Sequence, residues 1–225
     1  MAATRTDKGK GKHDPLGLII VGVVGLCVAA GVGYDKIIHP NLFPKRFGVV
    51  VDDAIYRSGE LTPASTRLVV ERHGIRTIVD LGAHEPGTRE EALAQATADA
   101  LGVRRIVMNL EGDATGDPNY YVDALEIMTD ASLHPVLVHC AAGSQRTGCA
   151  VAMYRQIFEG ESFDDAYRES WEYDHDPDDD GSQLRQMLER WTAPVEAALE
   201  SGGEVEGWAD EATDEEAGEA VTPEG

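Results

Sequence analysis

Apolar, strand-forming segments alternate with helix-forming segments through the middle of this chain. The pairs Thr62-Pro63 and Asp117-Pro118, an N-cap residue followed by proline, indicate where two of the helices begin. The predicted strands are residues 47–51, 55–56, 77–81, 103–110 and 136–139, and the predicted helices are 62–74, 90–101, 117–130, 146–158, a segment capped by Ser162, and 183–199. This alternation predicts an α/β fold with a mainly parallel central sheet flanked by helices.

The segment before these elements is apolar and uncharged. Between Asp14 and Asp35 lie 20 residues without a charge, and about 20 apolar residues can cross the hydrocarbon core of a membrane. We therefore expect one N-terminal transmembrane helix that anchors the protein in a membrane. The alternative is a cleaved signal peptide, because Val28-Ala29-Ala30 offers small residues at a cleavage site. A slight excess of Lys and Arg before the span predicts a cytoplasmic N-terminus and an extracytoplasmic remainder.

Charge is distributed unevenly along the chain. The formal net charge is −22, which argues against nucleic-acid binding because that needs clustered Lys and Arg. Residues 196–225 hold 11 acidic and no basic side chains and lack an apolar period, which predicts a disordered acidic tail. We therefore divide the chain into a basic N-terminus with the anchor, residues 1–44, a folded domain, residues 45–195, and the tail. Three cysteines are too few for a disulfide framework.

The stretch VLVHCAAGSQRTG, residues 136–148, carries the chemistry. The predicted strand ends directly before Cys140, which begins a loop, and Arg146 lies where the next predicted helix begins. Five residues between them allow the loop to curl with its N–H groups inward as an anion nest, and the helix N-terminus adds its positive end. Arg146 can add a bidentate fork for two phosphate oxygens, and Gly143 would let the backbone approach the anion closely. The predicted phosphate-binding residues are Ala141, Ala142, Gly143, Ser144, Gln145 and Arg146.

The same loop suits nucleophilic catalysis. A thiolate at the floor of a phosphate cradle can attack phosphorus and form a phosphocysteine, and cations and helix N-termini favour the thiolate. We therefore predict Cys140 as the nucleophile. The Thr147 hydroxyl can donate to this thiolate or to the departing sulfur. His139 is predicted to support the loop by hydrogen bonding to backbone. This chemistry needs no metal and no cofactor.

HCAAGSQRTG resembles the signature of the cysteine-dependent protein tyrosine and dual-specificity phosphatases, which is His-Cys, five residues, Arg, Ser/Thr and Gly. The segments AIYRSGELTP at 54–63, IRTIVDLG at 75–82 and ALEIMTDASLHPVLVHC at 124–140 resemble the compact dual-specificity-like group of bacteria and fungi, which includes relatives active on inositol pyrophosphates. The resemblance covers roughly residues 47–195. It implies a protein-tyrosine-phosphatase-like fold and an aspartate that protonates the leaving group from a loop before the helix that precedes the signature strand.

NLEGDATGDPNYY contains the candidates for this general acid. Asp117 directly precedes Pro118, so a helix-capping role suits it best. Asp113 lies in a Gly-flanked loop and is the favoured acid, and Glu111 is a third candidate.

Four of the loop side chains, Ala141, Ala142, Ser144 and Gln145, are uncharged, whereas the inositol-pyrophosphate relatives carry Lys, Arg or His there. A densely anionic substrate favours cations. We therefore predict a phosphomonoester on a protein or small molecule as the substrate. The alternatives are an inositol phosphate or phosphoinositide phosphatase of the same fold, a catalytically weak membrane-tethered phosphate-binding scaffold, and a rhodanese-like sulfur transferase. The Arg-Thr-Gly ending and the upstream aspartates favour phosphoryl chemistry over sulfur transfer.

Two further features have simpler interpretations. Cys149 could form a regulatory disulfide with Cys140, but its position in the predicted helix favours core packing. Asp176, Asp178 and Asp180 before Gly181 match the first half of a calcium loop, but Met187 stands where the bidentate glutamate is required. A solvated acidic turn is the favoured interpretation.

Overall fold

The computed structural model describes residues 15–34, 39–179, 181–206 and 208. The strands are β1 Gly48–Val51, β2 Ile55–Ser58, β3 Thr77–Asp80, β4 Arg104–Val107 and β5 Val136–His139. The helices are α1 Pro15–Gly33, α2 His39–Leu42, α3 Pro63–His73, α4 Arg89–Leu101, α5 Asn119–Thr129, α6 Gln145–Glu159, α7 Phe163–Glu169 and α8 Leu184–Ser201, and a 3₁₀ helix covers Ser170–Tyr173.

The five strands form one sheet in the order β1-β2-β5-β3-β4. The pairs β2–β5, β5–β3 and β3–β4 are parallel, and the edge strand β1 pairs antiparallel with β2. The predicted α/β fold with a mainly parallel central sheet is therefore confirmed. The predicted strand 103–110 is shorter than expected, since β4 covers Arg104–Val107. Directly after it, the N–H of Met108 still donates to Asp80 O of β3 at 2.8 Å.

Strand β5 lies at the centre of the sheet and is buried on both faces. Val136 and Val138 pack in the cluster that contains α5, α6 and α8, whereas Leu137 packs in a second cluster with Val69 of α3. Alternate residues of a strand point to opposite faces, and both faces of this sheet are covered by helices. The continuous apolar run Val136–Val138 follows from this burial.

Capping residues determine where several helices begin and end. The Thr62 hydroxyl accepts from the N–H of Ser65 and caps α3, and Gly74 ends that helix in the left-handed conformation. Gly102 ends α4 in the same way. The Asp117 carboxylate accepts from the N–H of Asn119, the first residue of α5, at 2.9 Å. These local signals agree with the predicted starts and ends because each depends on a few consecutive residues.

The chain divides into two compact units, residues 1–39 and residues 40–225. Within the first unit the predicted membrane segment is helical, as α1. None of the described helices, however, is long and apolar enough to span a membrane. The basic residues predicted to precede the anchor, up to residue 14, lie outside the described residues.

The packed part of the chain extends beyond residue 195, where the predicted domain ends. Helix α8 continues to Ser201, with Ala198 buried. Val205 is also buried, and its N–H donates to Asn119 Oδ1 at 2.7 Å. The half-buried Trp208 packs against the same core. The structure therefore differs from the predicted tail boundary, because a few spaced apolar residues suffice to dock a segment whose composition is otherwise acidic. Residues 207 and 209–225 lie outside the described residues.

Candidate active site

Cys140 follows the central strand β5 and is fully buried at the start of the loop 140–146, named here the phosphate loop. The Gly143 N–H donates to Cys140 Sγ at 3.1 Å. The sulfur therefore already has one backbone donor from its own loop. Helix α6 begins at Gln145, so the free N–H groups of its first turn lie at the end of this loop.

Four carbonyl groups of the phosphate loop, those of residues 141–144, accept from donors outside the loop. Ala141 O accepts from the Glu60 N–H at 3.0 Å, Ala142 O from Arg46 Nη1 at 2.6 Å, Gly143 O from Arg57 Nη2 at 2.8 Å, and Ser144 O from the Gly148 N–H at 2.9 Å. Among the described residues, the N–H groups of residues 141, 142 and 144 donate to no backbone carbonyl. N–H groups without backbone acceptors are what an anion nest requires. Phosphate binding by this loop stays a prediction.

Gly143 has a positive φ of 84°, and its backbone lies against the residues that follow β2. A Cβ at Gly143 would stand 2.6 Å from the N and 2.7 Å from the Cα of Gly59. The reason for glycine therefore differs from the predicted one. Its missing side chain makes room for the backbone of Gly59 rather than for the anion.

The guanidinium of Arg146 is buried and is held along one edge. Its Nη1 donates to Leu81 O at 2.9 Å, to Leu110 O at 3.1 Å, and to the carbonyl of Gly82. Nε is buried without a hydrogen-bond partner within the described part of the chain. Neither Nε nor Nη2 is therefore engaged by the residues described, and this edge matches the bidentate fork that a phosphate accepts.

Thr147 lies next to Arg146, and its Oγ1 is buried without a hydrogen-bond partner among the described residues. A buried hydroxyl ordinarily has a partner. Among the described residues, Thr147 Oγ1 forms no bond to Cys140 Sγ, so its donation to the sulfur stays a prediction.

The ring of His139 lies beside a carboxylate, with its Nε2 3.5 Å from Asp80 Oδ2. The backbone of Cys140 also acts on the ring as a hydrogen-bond partner that raises its pKa, and the supporting role of His139 stays a prediction. Burial lowers the pKa of His139, and this outweighs the raising effect of Asp80. We conclude that His139 is neutral at pH 7. Its backbone carbonyl, in contrast, accepts from the Leu81 N–H at 2.8 Å and fixes the end of β5.

Asp80 and Arg105 form a buried ion pair beside His139 that the sequence analysis missed. Arg105 Nη2 donates to Asp80 Oδ2 at 2.7 Å, and both side chains are almost fully buried. Burial alone would raise the pKa of Asp80, but His139, the Ala83 N–H and Arg105 together lower it. Strand pairing places Asp80 opposite His139. No local spacing indicates this pair, because its members lie on different strands.

The general-acid candidates lie on the loop before α5. Asp113 Oδ1 accepts from the N–H and hydroxyl of Thr115, at 3.0 and 2.7 Å. The Asp117 carboxylate accepts from the N–H of Asn119 at the start of α5, which agrees with its predicted capping role. Glu111 is exposed. The choice of Asp113 as the acid stays a prediction.

A chain of hydrogen bonds connects the Asp113 loop to the phosphate loop. The Gln183 N–H donates to the carbonyl of Asp113 at 3.1 Å, and the neighbouring Ser182 hydroxyl donates to Gln145 Oε1 at 2.6 Å. Gln145 therefore has a side-chain role as well as its predicted backbone role. The segment before α8 brings the two loops close together.

Two other predicted features lie apart from this chemistry. Cys149 packs in the core, and burial raises the pKa of its thiol to about 12, which favours the packing interpretation. Asp176 accepts from the Asp178 N–H and Asp179 from the Gly181 N–H, as in ordinary turns. Asp180 lies outside the described residues. Within the described ranges, no group of three or more His, Cys, Asp or Glu side chains could hold a metal ion.

Comparison with known proteins gives concordant results. A family model described as "DSP-PTPase phosphatase fused to NAD+ Kinase" matches residues 48–187. Inositol diphosphatase DSP3 of Arabidopsis thaliana is 31% identical over 120 residues, which cover 51% of this chain and 55% of that protein. The putative tyrosine-protein phosphatase OCA1 of Yarrowia lipolytica is 32% identical over 117 residues, which cover 51% of this chain and 45% of that protein. The chain thus spans about half the length of these curated relatives.

Solved structures share the fold. The catalytic core of the PP-IP phosphatase SIW14 from S. cerevisiae, in complex with citrate, matches with a TM-score of 0.56 and 23% identity over 66% of this chain and 86% of that chain. TpbA of P. aeruginosa matches with a TM-score of 0.51 and 22% identity over 65% of this chain and 86% of that chain.

Proposed function

The chain belongs to this DSP-PTPase family of cysteine-dependent phosphatases, and on that premise we propose that it hydrolyses phosphomonoesters through a phosphocysteine intermediate. The observation that carries the proposal is the phosphate loop. The carbonyls of residues 141–144 accept from four donors outside the loop, while Cys140 lies at its start with a backbone N–H on the sulfur. A loop of free N–H groups beside a buried cysteine suits phosphoryl transfer.

In the first step, the loop N–H groups and the free edge of Arg146 bind the phosphate oxygens. Cys140 Sγ attacks phosphorus as a thiolate, so that an S–P bond forms as the bond to the ester oxygen breaks. Asp113 gives its proton to that oxygen, and the alcohol leaves.

In the second step, the Asp113 carboxylate takes a proton from water as the water oxygen attacks phosphorus. The S–P bond breaks, inorganic phosphate forms, and the sulfur departs as a thiolate. The Thr147 hydroxyl donates a hydrogen bond to this sulfur. No redox partner or cofactor enters the balance.

For the substrate, we propose a phosphomonoester on a protein. Two features support this choice: the four uncharged loop side chains, which are Ala141, Ala142, Ser144 and Gln145, and the net negative charge of the chain. Both disfavour a substrate that carries several phosphate groups. An inositol phosphate is the second candidate, because the Arabidopsis relative is named an inositol diphosphatase. Phosphate release from phosphopeptides, inositol phosphates, inositol pyrophosphates and phosphoinositides, compared by kcat/KM, separates the two.

The test of the mechanism uses Cys140→Ser in the full chain. We expect turnover of p-nitrophenyl phosphate to fall by at least about 10³-fold, because serine lacks the thiolate nucleophile. Cys27→Ser, which changes an exposed cysteine of α1, is the matched control and should retain activity. Full activity in Cys140→Ser would refute the mechanism. Phosphate binding without turnover in the wild type would favour the scaffold alternative, and thiocyanate release from thiosulfate and cyanide would favour sulfur transfer.

The cytoplasmic N-terminus and extracytoplasmic domain stay predictions of the sequence. They are independent of the proposed chemistry. Protease protection of the full chain in intact cells, read separately at each terminus, tests the orientation.

A further inference from the structure

Arg57 lies on β2, directly behind the phosphate loop, and its side chain is completely buried. Its Nη2 donates to Gly143 O at 2.8 Å. Its guanidinium carbon lies 3.6 Å from the centre of the Tyr173 ring, a cation–π contact. The side chain therefore joins the central sheet to the middle of the loop.

The environment of Arg57 is unfavourable for a purely structural cation. Its Nε and Nη1 are buried without hydrogen-bond partners in the described chain. Burial lowers the pKa of Arg57 to about 10, whereas Tyr173, Glu169 and Cys140 oppose the shift. Burying a cation with unpaired N–H groups is expensive unless negative charge lies nearby. A thiolate at Cys140 supplies such charge.

Gly143 connects the cation to the nucleophile. Its carbonyl accepts from Arg57, and its N–H donates to Cys140 Sγ. Glycine can adopt many conformations, so two hydrogen bonds on opposite sides of this residue restrict its orientation. The N–H on the sulfur belongs to the Ala142–Gly143 peptide, and the carbonyl held by Arg57 belongs to the next peptide, Gly143–Ser144. Loss of the bond from Arg57 would free the second peptide to rotate, and the Gly143 backbone would then hold the N–H of the first peptide on the sulfur less firmly.

We propose that Arg57 is a positioning residue for the phosphate loop, which acts through Gly143 to keep a backbone N–H on the nucleophilic sulfur. This inference rests on the proposed phosphatase function and deepens it. The buried cation and the N–H together stabilise negative charge on the sulfur, which is the reactive form of a cysteine.

A second arginine reinforces the same loop. Arg46 Nη1 donates to Ala142 O at 2.6 Å, and its Nε donates to the carboxylate of Asp174 at 2.9 Å. Asp174 directly follows Tyr173, whose ring contacts Arg57. The segment Tyr173–Asp174 therefore holds both arginines, and they hold two successive carbonyls of the loop outward.

The experiment compares Arg57→Met with the matched control Arg76→Met in the full chain. Arg76 also donates to one backbone carbonyl, His134 O at 3.1 Å, but it precedes β3 and so lies at the opposite end of the sheet from the loop. Two quantities are measured: kcat with p-nitrophenyl phosphate, and the rate at which iodoacetamide alkylates Cys140 at pH 6.5, read by peptide mass. We expect both to fall about tenfold or more in Arg57→Met and to stay unchanged in Arg76→Met.

An alkylation rate within twofold of the wild type in folded Arg57→Met would overturn the proposal, whatever happens to kcat, because the arginine would then not act on the sulfur. If circular dichroism shows that Arg57→Met is unfolded, Arg57→Lys replaces it. Lysine keeps the charge but lacks the planar fork, so a tenfold loss is again expected and a wild-type alkylation rate would overturn the proposal. Alkylation needs no turnover, so failure of the wild type to hydrolyse any phosphomonoester would refute the proposed function separately.

Discussion

At the scale of single residues, Arg146 illustrates how one side chain can serve both the protein and a substrate. Nη1 bonds three backbone carbonyls, while the opposite edge of the guanidinium has no partner among the described residues. The hydrogen bonds from Nη1 fix the plane of the guanidinium before a phosphate binds. Less conformational entropy is then lost on binding, which is the benefit of preorganisation.

The aspartate assignment is also decided by single residues. We expect Asp113→Asn to lower kcat about 10²-fold or more for an alkyl phosphate, because an alkoxide leaves poorly without a proton. The loss should be smaller for p-nitrophenyl phosphate, because p-nitrophenolate is a weak base that leaves readily without being protonated. Steady-state kinetics with both substrates measures this difference.

Asp117→Asn is the matched control for Asp113→Asn. It alters the bond at the start of α5, so its effect should be a change of about 1 kcal/mol or less in the free energy of unfolding, with kcat retained. A larger loss of alkyl phosphatase activity in Asp117→Asn than in Asp113→Asn would reverse the assignment.

At the scale of structural elements, the end of β2 and the phosphate loop fit together backbone to backbone. Gly59 and Gly143 face each other, and a Cβ on Gly59 would lie 2.6 Å from Ala142 O. The loop shape therefore depends on a neighbouring strand as much as on its own residues.

Gly59→Ala tests this contact. The added methyl must displace the loop, since its nearest neighbour is backbone, and overpacking typically costs about 1–3 kcal/mol. We expect kcat with p-nitrophenyl phosphate to fall about tenfold or more, together with a lower urea midpoint. Gly31→Ala should change neither quantity, because its added Cβ would meet no described atom within 4 Å beyond its chain neighbours and its own helix backbone. Unchanged kcat in Gly59→Ala would show that the loop tolerates the shift.

At the scale of the whole molecule, buried titratable groups link folding to pH. The pKa of His139 is lowered by burial in the folded chain, so below about pH 6.5 the unfolded chain binds a proton that the folded chain does not. Stability contributed by neutral His139 is therefore lost as the pH falls through this range. The lowered pKa of Asp80 acts at more acidic pH, because its contribution is present above the unfolded pKa and is lost as the carboxylate protonates.

The prediction is that His139→Gln flattens the dependence of unfolding free energy on pH between 7 and 5. One proton corresponds to at most about 1.4 kcal/mol per pH unit, which is the upper bound on the difference in slope. Urea titrations of both proteins at three pH values in this range measure it. Parallel curves for the two proteins would show that His139 does not contribute.

Local patterns in the sequence were sufficient for the strand and helix order, the helix caps, and the strand–loop–helix segment that contains Cys140 and Arg146. Each of these depends on residues within about one turn or one strand of each other, where propensity, capping and hydrophobic period act directly. Cys140 and Arg146 belong to this group because a single strand–loop–helix segment contains both.

Contacts between distant segments emerged only from the folded chain. Arg46 and Arg57 behind the loop, the Asp80–Arg105 pair beside His139, the contact of Gly59 with Gly143, and Val205 in the core all join residues from different elements. The sequence has no spacing that indicates such partners, since they meet only when strand order and helix packing bring them together. The phosphate loop is thus recognisable locally, but the groups that hold its carbonyls outward are a property of the tertiary fold.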